Sequence, residues 1–265
     1  MRHKTSFYCG FIQWINYSFS VLNLKILQKN RGPMTSLSQL EQDLKQFRAL
    51  PYHSDTQLAQ KLSEVQAWQR GRIHKTHQAL FASANNQAMG EFLIDQLYGG
   101  EKFNVLAEQL ERMVQKAEKL EKFIPANAVS TGAAGIIEAI NAIKLDLQLA
   151  QYLQENHLSV DEPSMIKAYR SVNAESARRQ QIADLKQMCY RTDKYLKSFI
   201  LQKAFSLAKG TAYKKGFQPL YDFIAEGFAA IKPIKSIGAF IEPFCEKELQ
   251  IITNVHAGKE HPFDV

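Results

Sequence analysis

The 265-residue chain has only three cysteines, too few for a disulfide scaffold and the usage expected in a reducing compartment. Thirteen glycines and eight prolines exclude collagen-like and low-complexity chains. From Met34 to Val265 there is no convincing two-residue alternation of apolar and polar residues, so no strand is predicted. Catalytic and nucleotide-binding signatures are missing as well. There is no G-x-x-x-x-G-K-[ST], no G-x-G-x-x-G after a strand, no G-x-S-x-G and no H-E-x-x-H. Thr131-Gly-Ala-Ala-Gly135 is rich in glycine but has neither a strand before it nor a lysine after it, which makes it a helix-packing or turn segment. Glu-x-x-His pairs, which carboxylate-bridged metal bundles need, do not occur.

What is there is an ordinary globular composition, 45% apolar and 22% charged, with a formal net charge of +7. A basic chain invites a nucleic-acid or anionic-membrane reading. Five of the positive charges (Arg2, Lys4, Lys25, Lys29 and Arg31) lie in residues 1–33, which hold no acid. That segment is aromatic and interrupted by Gln13, Asn16, Ser18, Ser20, Asn23 and Lys25. It makes a poor signal peptide, lacking a small-residue cleavage site, and a poor membrane span. The reading favoured here is an over-extended start, with translation from Met34, since Arg31-Gly32 can be encoded by a purine-rich ribosome-binding sequence. A membrane anchor or a signal segment are the alternatives. Without residues 1–33 the chain has 28 basic and 26 acidic residues, a net of +2, which makes nucleic acid an unexpected partner. A membrane is expected only if residues 1–33 are part of the protein.

The remainder reads as helix. Leu58, Leu62, Val65, Thr76 and Leu80 share a stripe at helical spacing, as do Leu106, Leu110, Met113, Ala117, Leu120 and Ile124. Ile136, Ile140, Ile143 and Leu147 form one stripe, and Leu145, Leu149 and Leu153 lie on another face of the same helix; a helix apolar on two sides belongs in the middle of a bundle. Leu220, Phe223, Ile224, Gly227, Phe228 and Ile231 form a further stripe. Tyr98-Gly99-Gly100 ends one helix, Asp161-Glu-Pro163-Ser164 starts another, and Pro51, Pro125, Pro219, Pro233 and Pro243 mark starts or breaks. The expectation is an all-α, single-domain bundle of eight or nine helices over residues 34–255, with a frayed tail at 256–265.

Polar residues on these apolar stripes locate a candidate site. Gln69, Arg72 and Thr76 continue the Leu58–Leu80 stripe. Ala174, Arg178, Gln181, Leu185 and Met188 form another, so Arg178 also points inward. Glu138 shares a face with Asn141, Leu145 and Tyr152, and is a possible partner for either arginine. A buried guanidinium must be paired, so these residues form either a structural ion-pair network or a polar pocket for a small polar or anionic ligand. Trp68 and Tyr169 could wall such a pocket, and His77 could act beside it as an acid–base group. His74 and His77 are three apart but have no further ligand within a turn, so no metal is expected, and no cofactor is implied. Cys189 and Cys245 read as buried structural thiols. Lys209–Gly216 reads as a basic loop between helices, and Glu175 can pair with Arg179.

The stretch Glu91-Phe-Leu-Ile-Asp-Gln-Leu-Tyr98 resembles a bacterial family of uncharacterised all-helical proteins named for an F-F-L-E-E-L-Y motif. It keeps Phe92, Leu97 and Tyr98 and departs at Leu93, Ile94, Asp95 and Gln96. Val65-Gln-Ala-Trp-Gln69 with Arg72 and Thr76-His77, Ala168-Tyr-Arg-Ser-Val172 with Arg178, and Leu220–Ala230 are similar to other segments of that family, over about residues 60–255. The resemblance implies a cytoplasmic helical protein and no particular activity. On a helical wheel Glu91 and Asp95 lie opposite Met89, Phe92 and Leu93, which makes Glu91, Asp95 and Tyr98 a candidate interface with an unidentified protein. With no catalytic motif, the expected function is that of a non-enzymatic interaction or regulatory protein. The alternative is a ligand-binding protein or enzyme with its site around Arg72, His77, Glu138 and Arg178.

Overall fold

The structure, a computed structural model, describes residues 37–97, 101–117, 126–197 and 199–265. These contain eleven α-helices and no strand, an all-α single domain as expected from the helical periodicities. In chain order the helices are α1 (Leu37–Arg48), α2 (Thr56–Thr76), α3 (Gln78–Phe81), α4 (Gln87–Leu97), α5 (Glu101–Ala117), α6 (Ala126–Glu155), α7 (Glu162–Val172), α8 (Glu175–Leu196), α9 (Phe199–Lys214), α10 (Gln218–Ile231) and α11 (Ile237–His256). The expected start at Met34 and the helix end expected at Tyr98-Gly99-Gly100 lie outside the described residues.

Several boundaries follow from local chemistry. Asp55 caps α2 by accepting from the backbone N–H groups of Gln57 and Leu58, both at 3.0 Å. Asp161 caps α7 through the N–H of Ser164, with Pro163 in its first turn; Pro is tolerated there because that N–H has no partner within the helix anyway. Asn173 ends α7 in the left-handed region, φ 51°.

The helix count exceeds the expected eight or nine for reasons the residues explain. The stripe running through Thr76 to Leu80 is not one helix: at His77 the backbone leaves helical geometry (φ −105°, ψ 16°), and the four-residue α3 follows. Lys209–Lys214, expected in a loop, form the last turns of α9. Pro243 lies inside α11 rather than at a break.

The 30-residue α6, about 45 Å long at 1.5 Å per residue, is the central element and packs on α1, α2, α4, α7 and α8. Ile140, Ile143, Leu147, Leu149 and Leu153 are buried on its different faces. One apolar cluster gathers α1, α2, α5, α6 and α7. A second gathers α3, α4, α8, α10 and α11, with Phe240, Ile241 and Phe244 sealed at its centre. Cys189 and Cys245 are buried free thiols in that second cluster, and burial pushes both up to about 12.

The tail expected to fray is held down instead. Phe263 is only 8% exposed and packs edge-on against Trp68. Arg170 donates to the carbonyl of Lys259, Asn254 to that of Pro262, and Lys247 to that of Val265. The cost of ordering this short segment is offset by one buried ring and three hydrogen bonds from α7 and α11.

Candidate functional site

Where the two clusters meet, polar side chains from five helices join in one buried network. Arg72, on α2, donates to Glu248 of α11 at 2.5 Å and to Gln69 at 3.5 Å. Gln69 in turn donates to the Tyr169 hydroxyl on α7 and to Asp146 on α6, the latter at 3.4 Å. Arg178, on α8, donates to Asp146 at 2.7 Å and to Gln181 at 3.4 Å. At the far end the His77 ring donates from Nε2 to Glu248 at 2.8 Å and stacks on Phe244. Arg178 also lies over the Tyr169 ring, and Arg72 over that of Phe263.

Both inward arginines are therefore paired, but not with the predicted partner. Glu138 is half-buried, makes no ion pair among the described residues, and is pushed up to about 7 by burial and by the nearby Asp184 carboxylate. The true partners carried a readable signal. Asp146 sits on α6 with Ala142, Ile143, Leu149 and Ala150 three and four residues away, all buried. Glu248 sits likewise among Phe244, Cys245, Ile251 and Ile252. An acid with apolar neighbours at both helical spacings faces the core and needs a cation.

The two carboxylates have opposite electrostatics. Burial drives Glu248 upward, but Arg72 and His77 outweigh it and hold the acid down at about 2. For fully sealed Asp146 burial wins over Arg178 and Gln69, and the acid is raised; its second oxygen, Oδ2, has no hydrogen-bond partner among the described residues. Carboxylates pushed apart in this way are the usual raw material of acid–base catalysis. Here the raised one is walled off, with no surface of its own exposed.

Arg72 and Arg178 nevertheless share a cavity. A space of about 40 Å³ is lined by the polar Arg72, Tyr169, Arg178, Gln181, Glu248 and His256 and by the apolar Ile182, Ile251, Ile252 and Val255. Its lining thus includes two arginines, each paired with a carboxylate: Arg72 with Glu248, which also lines the space, and Arg178 with Asp146, which does not. The space exceeds the roughly 10–15 Å³ that one water needs and falls far short of the roughly 300–1,000 Å³ of pockets for drug-sized ligands. Of the other residues expected here, Trp68 packs on the tail, His77 lies behind Glu248, and Glu138 is elsewhere on α6. A wider, shallow groove of about 460 Å³ between α2 and the α6–α7 turn is rimmed by Lys61, Glu64 and Gln60, which bond to one another and to the Leu158 carbonyl.

The remaining candidates are superficial. Glu91 and Asp95 are exposed on α4; Glu91 accepts from Gln87 and Asp95 pairs with Lys102 at 3.1 Å. Tyr98 lies outside the described residues. His74 is exposed, and among the described residues no group of three His, Cys, Asp or Glu side chains could hold a metal. Glu175 pairs with Arg179 as its spacing predicts.

No curated protein and no solved structure matches the chain. One family model matches residues 49–262, a span that encloses the whole network and its cavity. The chain belongs to that family, described as a domain of unknown function (DUF8198).

Proposed function

We propose that this is a non-enzymatic interaction or regulatory protein of the bacterial cytoplasm, and that its Arg72–Arg178 cavity binds a small anion or the anionic head of a larger ligand. The observation that carries the ligand reading is the convergence of two buried guanidiniums, over a hundred residues apart in sequence, on one cavity of about 40 Å³. The volume admits a carboxylate or a compact oxyanion, with the rest of a longer ligand leaving past the half-exposed Ile252 and His256. Planar guanidiniums suit such groups because they donate in a fixed fork. Binding without turnover is favoured because neither carboxyl raised by burial, Asp146 or Glu138, lines the cavity. The cytoplasmic reading draws on the free thiols Cys189 and Cys245 and on the absence, among the described residues, of any helix long and apolar enough to cross a membrane. An uncharacterised family over residues 49–262 accords with the resemblance to the F-F-L-E-E-L-Y proteins, and we take the two to be one family.

The test is thermal unfolding in inorganic phosphate, acetate and citrate against chloride at equal ionic strength. A bound anion stabilises the fold with the logarithm of its concentration, by about 2.7 kcal/mol at one hundred times its Kd, and Tm rises with it. The double variant Asp146→Leu/Arg178→Met, which removes one buried pair together, should fold and lose that gain. If no anion raises Tm above chloride, the network is purely structural and the ligand reading fails.

A further inference from the structure

We propose that the outward face of α9 docks an acidic amphipathic helix of a partner protein, with Phe199 and Leu207 as apolar anchors, Lys203 and Lys214 as carboxylate contacts, and Gly210 as the point of closest approach. This goes beyond the cavity reading and stands on α9 alone. The helix turns Phe205, Ala208 and Ala212 into the core. At about 100° per residue that leaves Phe199, Lys203, Leu207, Gly210 and Lys214 on the opposite side, and all five are exposed. Phe199 is 75% and Leu207 79% exposed, well above the other large apolar side chains described.

Scattered surface leucines need no explanation; a glycine in the same stripe does. Glycine inside a helix weakens it through backbone entropy, and it persists where something must come close. At Gly90 and Gly227 that something is a phenylalanine ring of the chain itself, Phe81 and Phe92. At Gly210 an added Cβ would meet nothing within 4 Å, so nothing described in the chain requires glycine there. Gly71 is equally open, but its outward neighbours are His74, Lys75 and Ala67 rather than large apolar groups.

Charge selects the occupant. The sequence of α9 contains no Asp or Glu and carries Lys203, Lys209 and Lys214, followed by Lys215. Arg112 of α5 adds a further cation where it donates to the carbonyls of Lys215 and Gly216. Asp222 of α10 touches the helix and is engaged by the Tyr213 hydroxyl. Two copies meeting through this face would set lysines against lysines. An anionic bilayer would satisfy the lysines but gains nothing from a notch at Gly210, whereas a crossing helix does. An acidic amphipathic helix uses all three features, with apolar anchors at i and i+8 and carboxylates on its flanks.

The experiment uses the full chain and a designed, capped, helical peptide of about 20 residues with a leucine stripe flanked by glutamates, followed by fluorescence anisotropy. A second peptide carries lysine for every glutamate. The acidic peptide should bind saturably and the basic one should not. Lys203→Glu/Lys214→Glu should weaken binding by about ten-fold or more, and so should Gly210→Gln. Gly210→Ala should raise Tm, since a Cβ fits there, which shows that glycine is not needed for the fold. The cavity variant Asp146→Leu/Arg178→Met should bind the peptide as wild type, which separates this proposal from the ligand reading. The proposal is overturned by no binding of the acidic peptide, by equal binding of both, by insensitivity to the charge reversal, by preferential sedimentation with phosphatidylglycerol vesicles, or by a dimer that Lys203→Glu abolishes.

Discussion

Removing Arg178 alone should be among the most damaging single changes in this protein, and removing it together with Asp146 should be nearly harmless. Asp146 is 0% exposed, and its salt bridge is the 2.7 Å contact with Arg178. In Arg178→Met the acid is left in an apolar setting with only a 3.4 Å bond from Gln69. Breaking a buried pair from one side costs about 3–5 kcal/mol. At about 2–4 °C per kcal/mol for a domain of this size, Tm should fall by about 6–20 °C. Asp146→Leu/Arg178→Met removes both charges and keeps apolar volume, so it should lie within about 2 kcal/mol of wild type.

The pH dependence carries a second signature. Asp146 is raised by burial, so the folded state holds its proton more tightly than the unfolded chain does. Stability tied to that proton is full below the ordinary carboxyl range and is lost as pH climbs through the raised folded value. In Arg178→Met the counter-charge is gone, so its deficit should shrink on going from about pH 8 to about pH 5. Urea unfolding followed by circular dichroism measures all four members of the cycle. A loss under about 1 kcal/mol for Arg178→Met, or a double variant no better than the single one, would refute the argument from an uncompensated buried charge.

Three further outcomes follow from the same geometry. Glu248, held at about 2 against an ordinary 4.5, contributes about 3 kcal/mol above the ordinary value, at roughly 1.4 kcal/mol per unit, and this is lost as pH falls toward 2; acid titration of Glu248→Gln should show less loss across that window, from a lower neutral stability. Gly90→Ala would place a Cβ 2.5 Å from the Phe81 ring and should cost about 1–3 kcal/mol by overpacking, a loss that Phe81→Leu in the same chain relieves. Phe263→Ala should cost about 3 kcal/mol as a buried aromatic truncation and should speed hydrogen exchange in the 257–265 tail while sparing α6; unchanged exchange there would mean the tail is held by its hydrogen bonds alone.

The acidic partners show how a site can be half legible. Arg72 lies on the stripe that runs from Leu58, Leu62 and Val65 to Leu80, and Arg178 on the one that runs from Ala174 to Leu185 and Met188, so their inward direction follows from helical geometry alone. Asp146 and Glu248 lie on equally apolar surroundings, yet Glu138 drew the pairing because it shares a face with Leu145. Periodicity says which way a residue points relative to its own helix, not how that helix is rotated and shifted against another. Glu248 is 176 residues from Arg72, and no local pattern relates them. Trp68 shows the same gap: read as a wall of the pocket, it meets Phe263 from the tail that was expected to fray.

By itself the sequence determined the all-α class, the centrality of α6, the helix start at Asp161–Ser164, the inward turn of both arginines and the near-neutral charge of the chain after Met34. These are consequences of side-chain period, proline geometry and composition, all local or additive. Only the tertiary structure decided that the helix turns at His77, that the two arginines meet across one cavity, that the tail packs down, and that Phe199 and Leu207 face outward. Each of those depends on which helix faces meet, and that is settled by the mutual packing of segments far apart in the chain.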